Sequence, residues 1–319
     1  MKKFLLLLFI GGAAIGAAQW IWGAVSYRGP LAAATEVVVD KGSGSGQVAR
    51  KLAAAGVINQ PRLFSLLARF YGLDKQLKAG EYHFEAGISM LNVMHRLSSG
   101  EVFYRRLTLP EGLSSFQMME LIKNEPALSG ELTLTAAEGE LLPETYTFSK
   151  GESRNAILNQ ARRAMQKALD DTWQTSQNPL LKDKNELLIL ASIIEKETAL
   201  ASERADVAAV FANRLQKGMK LQTDPTVIYA ITMGQGDLGR PLLKKDLEID
   251  SPYNTYRNYG LPPAPICNPG KAALQAAANP SDVEYLYFVA SGNGGHRFAK
   301  TLNEHNDNVS AYRRSLRKK

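Results

Sequence analysis

The run Leu187-Leu188-Ile189-Leu190-Ala191-Ser192-Ile193-Ile194 is almost wholly apolar and ends in Glu195-Lys196-Glu197-Thr198. Two carboxylates at the end of an apolar helix have a definite chemical use. A carboxyl group held against apolar surface has its ionised form disfavoured, so its pKa rises. Such a group gives up a proton near neutrality and takes one back, as cleavage of a glycosidic bond requires. On a helix, Glu195 shares its face with Leu188, Ala191, Ser192, Thr198 and Ala199, and Glu197 shares its face with Leu190, Ile193 and Leu200. Periodicity does not choose between them. The small residues beside Glu195 would leave room for a substrate, so Glu195 is the expected catalytic acid and Glu197 a supporting residue. The competing reading is that both carboxylates cap or bridge neighbouring elements.

Three downstream stretches strengthen the chemical reading. Leu221-Gln222-Thr223-Asp224-Pro225-Thr226 packs hydrogen-bonding side chains around a helix start. Ser251-Pro252-Tyr253-Asn254-Thr255-Tyr256 places amides, hydroxyls and rings in a loop, and prolines stiffen the loop that runs from Gly260 through Asn268 to Gly270. Such loops suit a sugar, because rings cover its apolar faces and amides bond its hydroxyls. Ordinary turn chemistry explains the Pro and Gly content. It does not explain the density of Tyr and amide side chains.

These pieces need a frame to hold them. The pattern predicts strands over 35–39, 80–84, 102–109 and 285–290, and helices over 47–55, 61–71, 89–99, 113–123, 153–172, from Leu187, 204–217, 224–230, 268–278 and 304–316. Gly100 and Gly218 are stop signals. Asp224-Pro225 is a start, with Asp224 as a candidate cap. The stretch 138–148 reads as turn-rich, with an acidic edge and aromatics. Helices with few scattered strands indicate an α+β fold: a small α+β module over 37–108 and a larger, mostly helical domain with a small sheet over 109–319. The glycines of 42–46 lack the Gly-Lys-Ser/Thr that a phosphate loop needs.

The N-terminus reads as a membrane anchor. Lys2 and Lys3 precede an apolar stretch from Phe4 to Val25, close to the roughly 20 residues needed to span a bilayer. Trp20 and Trp22 lie where interfacial aromatics belong, and the flanking lysines predict the N-terminus inside. Residues 1–25 are therefore tip and transmembrane anchor, and 26–36 a linker. A cleaved signal peptide ending near Gly16-Ala17-Ala18 is the alternative. Both readings export the body of the protein. Of 319 residues, 45% are hydrophobic and 22% charged, which excludes wholesale disorder, and the net charge of +7 suits an anionic polymer or anionic headgroups. No nucleic-acid motif accompanies that charge, and export argues against such a partner. The single cysteine, Cys267, permits no intrachain disulfide. His296, Glu304 and His305 match no zinc spacing, so no metal or other cofactor is expected, and Glu304-His305-Asn306 is expected to brace the fold.

Taken together, Glu138–Tyr146, Ala191–Thr198, Phe211–Leu215, Leu221–Thr226, Tyr253–Tyr256, Gly260–Pro263, Pro265-Ile266 and Asn268–Gly270 resemble the MltG (YceG-like) endolytic murein transglycosylases. The resemblance runs from the anchor to Tyr312. It implies that the module at 37–108 is LysM-like and that Glu195, the first Glu of Ile-Glu-Lys-Glu-Thr, is catalytic. Glu140-Leu141-Leu142 is less aromatic than the family pattern before Pro143. The implied activity is cleavage of MurNAc–GlcNAc bonds in nascent peptidoglycan strands, leaving 1,6-anhydro-MurNAc ends and terminating polymerisation. The implied setting is the bacterial inner membrane, single-pass, with the catalytic domain in the periplasm and penicillin-binding proteins or other synthases as partners. Gln222, Thr223, Asp224, Tyr253, Asn254, Thr255, Tyr256 and Asn268 are the expected substrate-binding set, with Thr198, Asn213 and Arg214 supporting alongside Glu197. Two alternatives stay open: a non-catalytic peptidoglycan-binding scaffold, and a hydrolytic muramidase pairing Glu195 with Asp224 or Glu197.

Overall fold

The computed structural model describes residues 11–12, 15–16, 19–40 and 42–316. Much of the expected anchor, residues 1–10, 13–14 and 17–18, lies outside the described residues. The described part of that stretch is helical through residue 26. Among the described residues no helix is long and apolar enough to cross a membrane.

The chain divides into two compact units, and the fold is α+β as expected. The first holds the described residues of Met1–Arg105 with Thr147–Glu152. Its elements are β1 (Thr35–Val39), α1 (Ser45–Ala54), α2 (Pro61–Phe70), β2 (Gly80–Phe84) and α3 (Met90–Ser99). β1 and β2 pair antiparallel, from Thr35 opposite Phe84 to Val39 opposite Gly80. Alternation along the strands sends Val37, Val39, Tyr82 and Phe84 into one core with Val48, Leu52, Phe64, Ala68, Val93 and Leu97. Val25 and Leu31 join the same core. α3 starts where Ser89 Oγ accepts the Asn92 N–H at 3.3 Å, and stops at Gly100 with φ of 77°. The Glu81 side chain is fully buried, with Arg105 at 3.0 Å and Lys150 at 3.9 Å as counter-ions.

β3 (Arg105–Thr108) and β4 (Thr145–Phe148) form a second two-stranded sheet. β3 is shorter than the expected 102–109, and β4 lies in the stretch read as turns. The second unit comprises Arg106–Tyr146 and the described residues of Ser153–Lys319. It contains α4 (Ser115–Asn124), α5 (Arg154–Gln174), α6 (Lys184–Glu197), α7 (Arg204–Gln216), α8 (Asp224–Thr232), a 3₁₀ turn (Lys244–Glu248), α9 (Lys271–Ala278), β5 (Tyr287–Ala290), β6 (His296–Ala299) and α10 (Leu302–Leu316). β5 pairs antiparallel with β6, an unforeseen strand, through Tyr287–Ala299 and Ala290–His296.

α6 is the axis of this unit. Leu187, Leu190, Ile193 and Ile194 are buried among Val207, Phe211, Leu221, Ala273, Leu274 and Ala277. α5, α7, α8 and α9 all pack on it. A helix apolar on most sides is one buried on most sides, so the apolar run Leu187–Ile194 forms part of the core. It delivers two carboxylates to the core's edge.

Candidate active site

Asp183 Oδ1 caps α6 by accepting the Glu186 N–H at 2.8 Å, and the helix ends at Thr198, whose backbone is extended. Glu195 and Glu197 occupy the last turn, where the helix dipole disfavours negative charge. Two residues along a helix turn the side chain by about 200°, so the two carboxyls leave on different sides.

Glu195 Oε2 accepts the N–H of Gly270, the residue that caps the start of α9, at 2.9 Å. Burial raises its pKa. The Gly270 bond opposes that rise, the nearby Glu111 adds to it, and Arg204 and Lys196 oppose it. A Cβ at Gly270 would lie 1.9 Å from Glu111 Oε1, so the Glu111 side chain would have to swing aside. Glu195 lines a cleft of about 410 Å³ together with Glu111, Gly112, Lys196, Glu197, Thr198, Ala199 and Arg204. Arg204 Nε is buried with no hydrogen-bond partner. Of the small residues beside Glu195, Thr198 and Ala199 line this cleft, and the other two do not. Ala191 and Ser192 are fully buried, Ser192 Oγ accepts the Ile266 N–H at 3.0 Å, and Cys267 Sγ donates to Ser192 O at 3.3 Å.

Glu197 meets the polar loops. Thr223 Oγ1 donates to its Oε1. Burial is again the main cause of a raised pKa; the Thr223 bond opposes it, Asp224 adds to it, and His296 and Arg214 pull it down. A second cleft of about 390 Å³ is lined by Glu197, Arg214, Gln222, Thr223, Asp224, Tyr256, Tyr287 and His305, with Phe211, Leu221, Phe288 and Leu302 supplying apolar wall. Glu197 lines both clefts. Gln222 sits at φ of 50°, left-handed backbone that a non-glycine residue rarely adopts. Tyr256 Oη donates to Asp224 Oδ1 at 2.6 Å. Asp224 is therefore not the cap of α8: Thr223 holds that position, and no side chain caps the helix.

The other expected site residues stand behind this surface. Asn254 is fully buried; its Nδ2 donates to Leu247 O and Ile249 O at 2.9 Å each, and its Oδ1 accepts the Tyr256 N–H at 3.0 Å. Thr255 Oγ1 accepts the Thr223 N–H at 3.1 Å. Buried Asn268 accepts the Leu141 N–H at 2.9 Å and donates to Leu113 O at 3.1 Å. Thr198 Oγ1 accepts the Leu200 N–H at 3.1 Å. Asn213 Nδ2 donates to Val283 O at 2.7 Å and Tyr285 O at 3.0 Å. Arg214 donates to Leu286 O at 2.7 Å and Leu221 O at 2.8 Å, its guanidinium 5.1 Å from the Tyr287 ring. Tyr253 packs on Tyr229 at 4.9 Å and lines neither cleft.

Sequence reasoning did not single out Glu111, Arg204, Tyr287 or Phe288 for the site. It gave His305 a bracing role, and the structure places that ring on Tyr287 at 5.2 Å in the wall of the second cleft. Glu138 was also missed as a titrating group. Its carboxylate accepts the Ser115 N–H at 3.1 Å, and burial pushes its pKa up to about 7. No spacing rule marks these residues, because each enters from a separate segment.

The chain is similar to several known proteins. The endolytic murein transglycosylase of Bacillus subtilis is 33% identical over 308 residues, covering 86% of this chain and 83% of that protein. That of Streptococcus pneumoniae is 28% identical over 324 residues, and the match covers 58% of its length. The crystal structure of a YceG-like protein from Listeria monocytogenes superposes with a TM-score of 0.53 at 31% identity, covering 86% of this chain and 98% of that one. The profile of the YceG-like family matches residues 37–311, and the chain belongs to that family.

Proposed function

We propose that this protein is an endolytic peptidoglycan lytic transglycosylase that cuts between N-acetylmuramic acid and N-acetylglucosamine within nascent glycan strands. One observation carries the reading: Glu197, a carboxyl with a raised pKa, lines both clefts. An enzyme that cuts inside a polymer must hold sugars on both sides of the scissile bond, and two clefts lined by one acid meet that need.

Glu197, rather than Glu195, is the acid in this proposal. Glu195 also has a raised pKa and lines one cleft, but its Oε2 is held by the Gly270 N–H at the start of α9. Glu197 shares its cleft with Gln222, Thr223, Asp224 and Tyr256, four of the eight residues expected to hold sugar. In the reaction, Glu197 protonates the bridging oxygen and the C1–O bond breaks. Its carboxylate then takes the proton of the muramoyl C6 hydroxyl, whose oxygen closes on C1. The product is a 1,6-anhydro end, no water is consumed, and the proton on Glu197 is restored. The side-chain amide of Gln222 and the hydroxyl of Tyr256 offer dipoles to the cation-like transition state.

Asp224 favours a second reading, hydrolysis with two carboxylates, because its charge is felt at Glu197. Mass analysis of products from purified peptidoglycan separates the two. Anhydro-muropeptides support the transglycosylase; ends heavier by one water overturn it. An E197Q protein that still releases product at the wild-type rate would sink the assignment of Glu197. If E195Q alone abolishes release, Glu195 is the acid.

Residues 4–25 hold the chain in the bacterial inner membrane in this reading, with the N-terminus inside and the catalytic unit in the periplasm, where it ends polymerisation beside penicillin-binding proteins or other synthases. The β1–α1–α2–β2 order, with antiparallel outer strands, supports a LysM-like role in gripping glycan for the first unit.

A further inference from the structure

The helix α2 turns an apolar strip to solvent. Its inner side is ordinary: Phe64 and Ala68 are fully buried, and Leu63 and Leu67 pack beside them. On the outer side Leu66 and Phe70, one turn apart, are 65% and 80% exposed, and Tyr71 is 63% exposed. The Phe70 and Tyr71 rings meet edge to face at 5.3 Å. Arg62 and Arg69 share this face at helical spacing with Leu66 and Phe70, and the helix carries no acidic residue. Exposed Leu and Phe flanked by arginine is the composition of a helix that lies in a membrane interface.

Two further observations say what covers the strip. The apolar run that begins at Phe4 ends at Val25, and Val25 is itself buried in the core that holds Phe64 and Ala68. No slack chain therefore separates that run from the first unit. Whatever bilayer takes the run holds this unit at its surface. Trp20, Trp22 and Tyr27 are 61%, 65% and 73% exposed at the same junction, as interfacial aromatics are. The two arginines complement anionic headgroups.

We propose that the outer face of α2, centred on Leu66 and Phe70, docks on an anionic phospholipid surface beside the anchor. The proposal rests on the anchored reading of residues 4–25. It goes beyond that reading by fixing the orientation of the first unit: one face is given to lipid, and the others are left to polymer.

The test uses the full chain in nanodiscs of phosphatidylcholine with phosphatidylglycerol. An environment-sensitive fluorophore is placed at Phe70→Cys, or at Leu66→Cys should the first variant fail to fold, with Arg50→Cys on α1 as reference. Cys267, 1% exposed, stays unlabelled. The expected result is a blue-shifted emission at 70 that brominated lipids quench, with neither effect at 50. Equal behaviour of both sites in discs that hold the chain overturns the proposal. Quenching at 70 confined to discs holding two chains also overturns it, in favour of self-association. A chain that does not co-elute with discs overturns the anchored reading and takes the proposal with it, an outcome distinct from an unquenched probe in a loaded disc. Arg62→Glu with Arg69→Glu should abolish quenching while co-elution persists; unchanged quenching overturns the assignment to anionic lipid.

Discussion

The Gly270 amide donates to Glu195 Oε2 at 2.9 Å, fastening the last turn of α6 to the first turn of α9, while Glu197 accepts from Thr223. The two carboxyls, separated by a single lysine, therefore meet different partners, and the proposed mechanism gives them different work. E197Q should lower the release of anhydro-muropeptides by about 10³-fold, the usual scale for losing a general acid. Glu195→Ala should instead cost about 1 kcal/mol of stability, as loss of a helix cap does, and leave most of the rate. Initial rates beside denaturant unfolding measure both. Equal loss of rate with unchanged stability in the two variants would show the division of labour to be wrong.

The pH profile offers a sign test. Glu197 must be protonated to act, so activity falls as pH rises through its pKa, which burial holds above the ordinary carboxylate range. The Thr223 hydroxyl favours the ionised form, so Thr223→Val should move the alkaline limb to higher pH. Asp224 disfavours it, so Asp224→Asn should move that limb to lower pH. Shifts of kcat in the same direction for both variants would contradict the geometry.

How far the sequence reached is clearest at this pair. The α6 run, its two carboxylates and the loops at 221–226 and 251–256 are all legible, because apolar periodicity and turn chemistry are local signals. Residue size and the resemblance both pointed to Glu195, and the size cue was only local. Ala191 and Ser192 looked like open space beside Glu195, yet the loop at Ile266-Cys267, 75 residues from Ser192 in the chain, closes over them. Asn254 and Asn268 read as sugar ligands by type, and folded they brace backbone, since a buried amide must spend its hydrogen bonds on the nearest partners. β4 and β6 were missed for a related reason: four-residue strands between turns carry too little alternation to register.

Glu138 predicts a pH dependence of stability. Its folded pKa is about 7 against an ordinary 4.5. Below 4.5 both states hold the proton. Between 4.5 and 7 the unfolded chain releases it and the folded one keeps it, so stability falls as pH rises through that window and then levels. The loss is on the order of 3 kcal/mol. E138Q should flatten the decline, read as unfolding free energy at pH 4.5, 6 and 7.5; an unchanged slope would count against the buried carboxyl.

Gly295 should tolerate no side chain. A Cβ there would stand 2.5 Å from Glu203 Oε1, the atom that accepts the His296 N–H at 2.9 Å. Gly295→Ala should push Glu203 Oε1 aside and weaken the clamp in which Glu203 also holds His296 Nδ1 at 2.7 Å. A loss of roughly 1–3 kcal/mol is expected, with a drop in kcat because His296 is felt at Glu197. Thermal unfolding and kcat together check it; an Ala variant as stable and as active as the parent would contradict the contact.

The chain enters its first compact unit twice, once from the N-terminus and again at Thr147–Glu152, after Arg106–Tyr146 has begun the second. The first unit is therefore not a detachable bead. A truncation ahead of residue 106 would leave the Thr147–Glu152 strap without the body it belongs to. A transplant of Met1–Arg105 alone would carry fully buried Glu81 away without Lys150, its partner at 3.9 Å. Shuffling this architecture between proteins, by nature or in the laboratory, requires both segments to travel together.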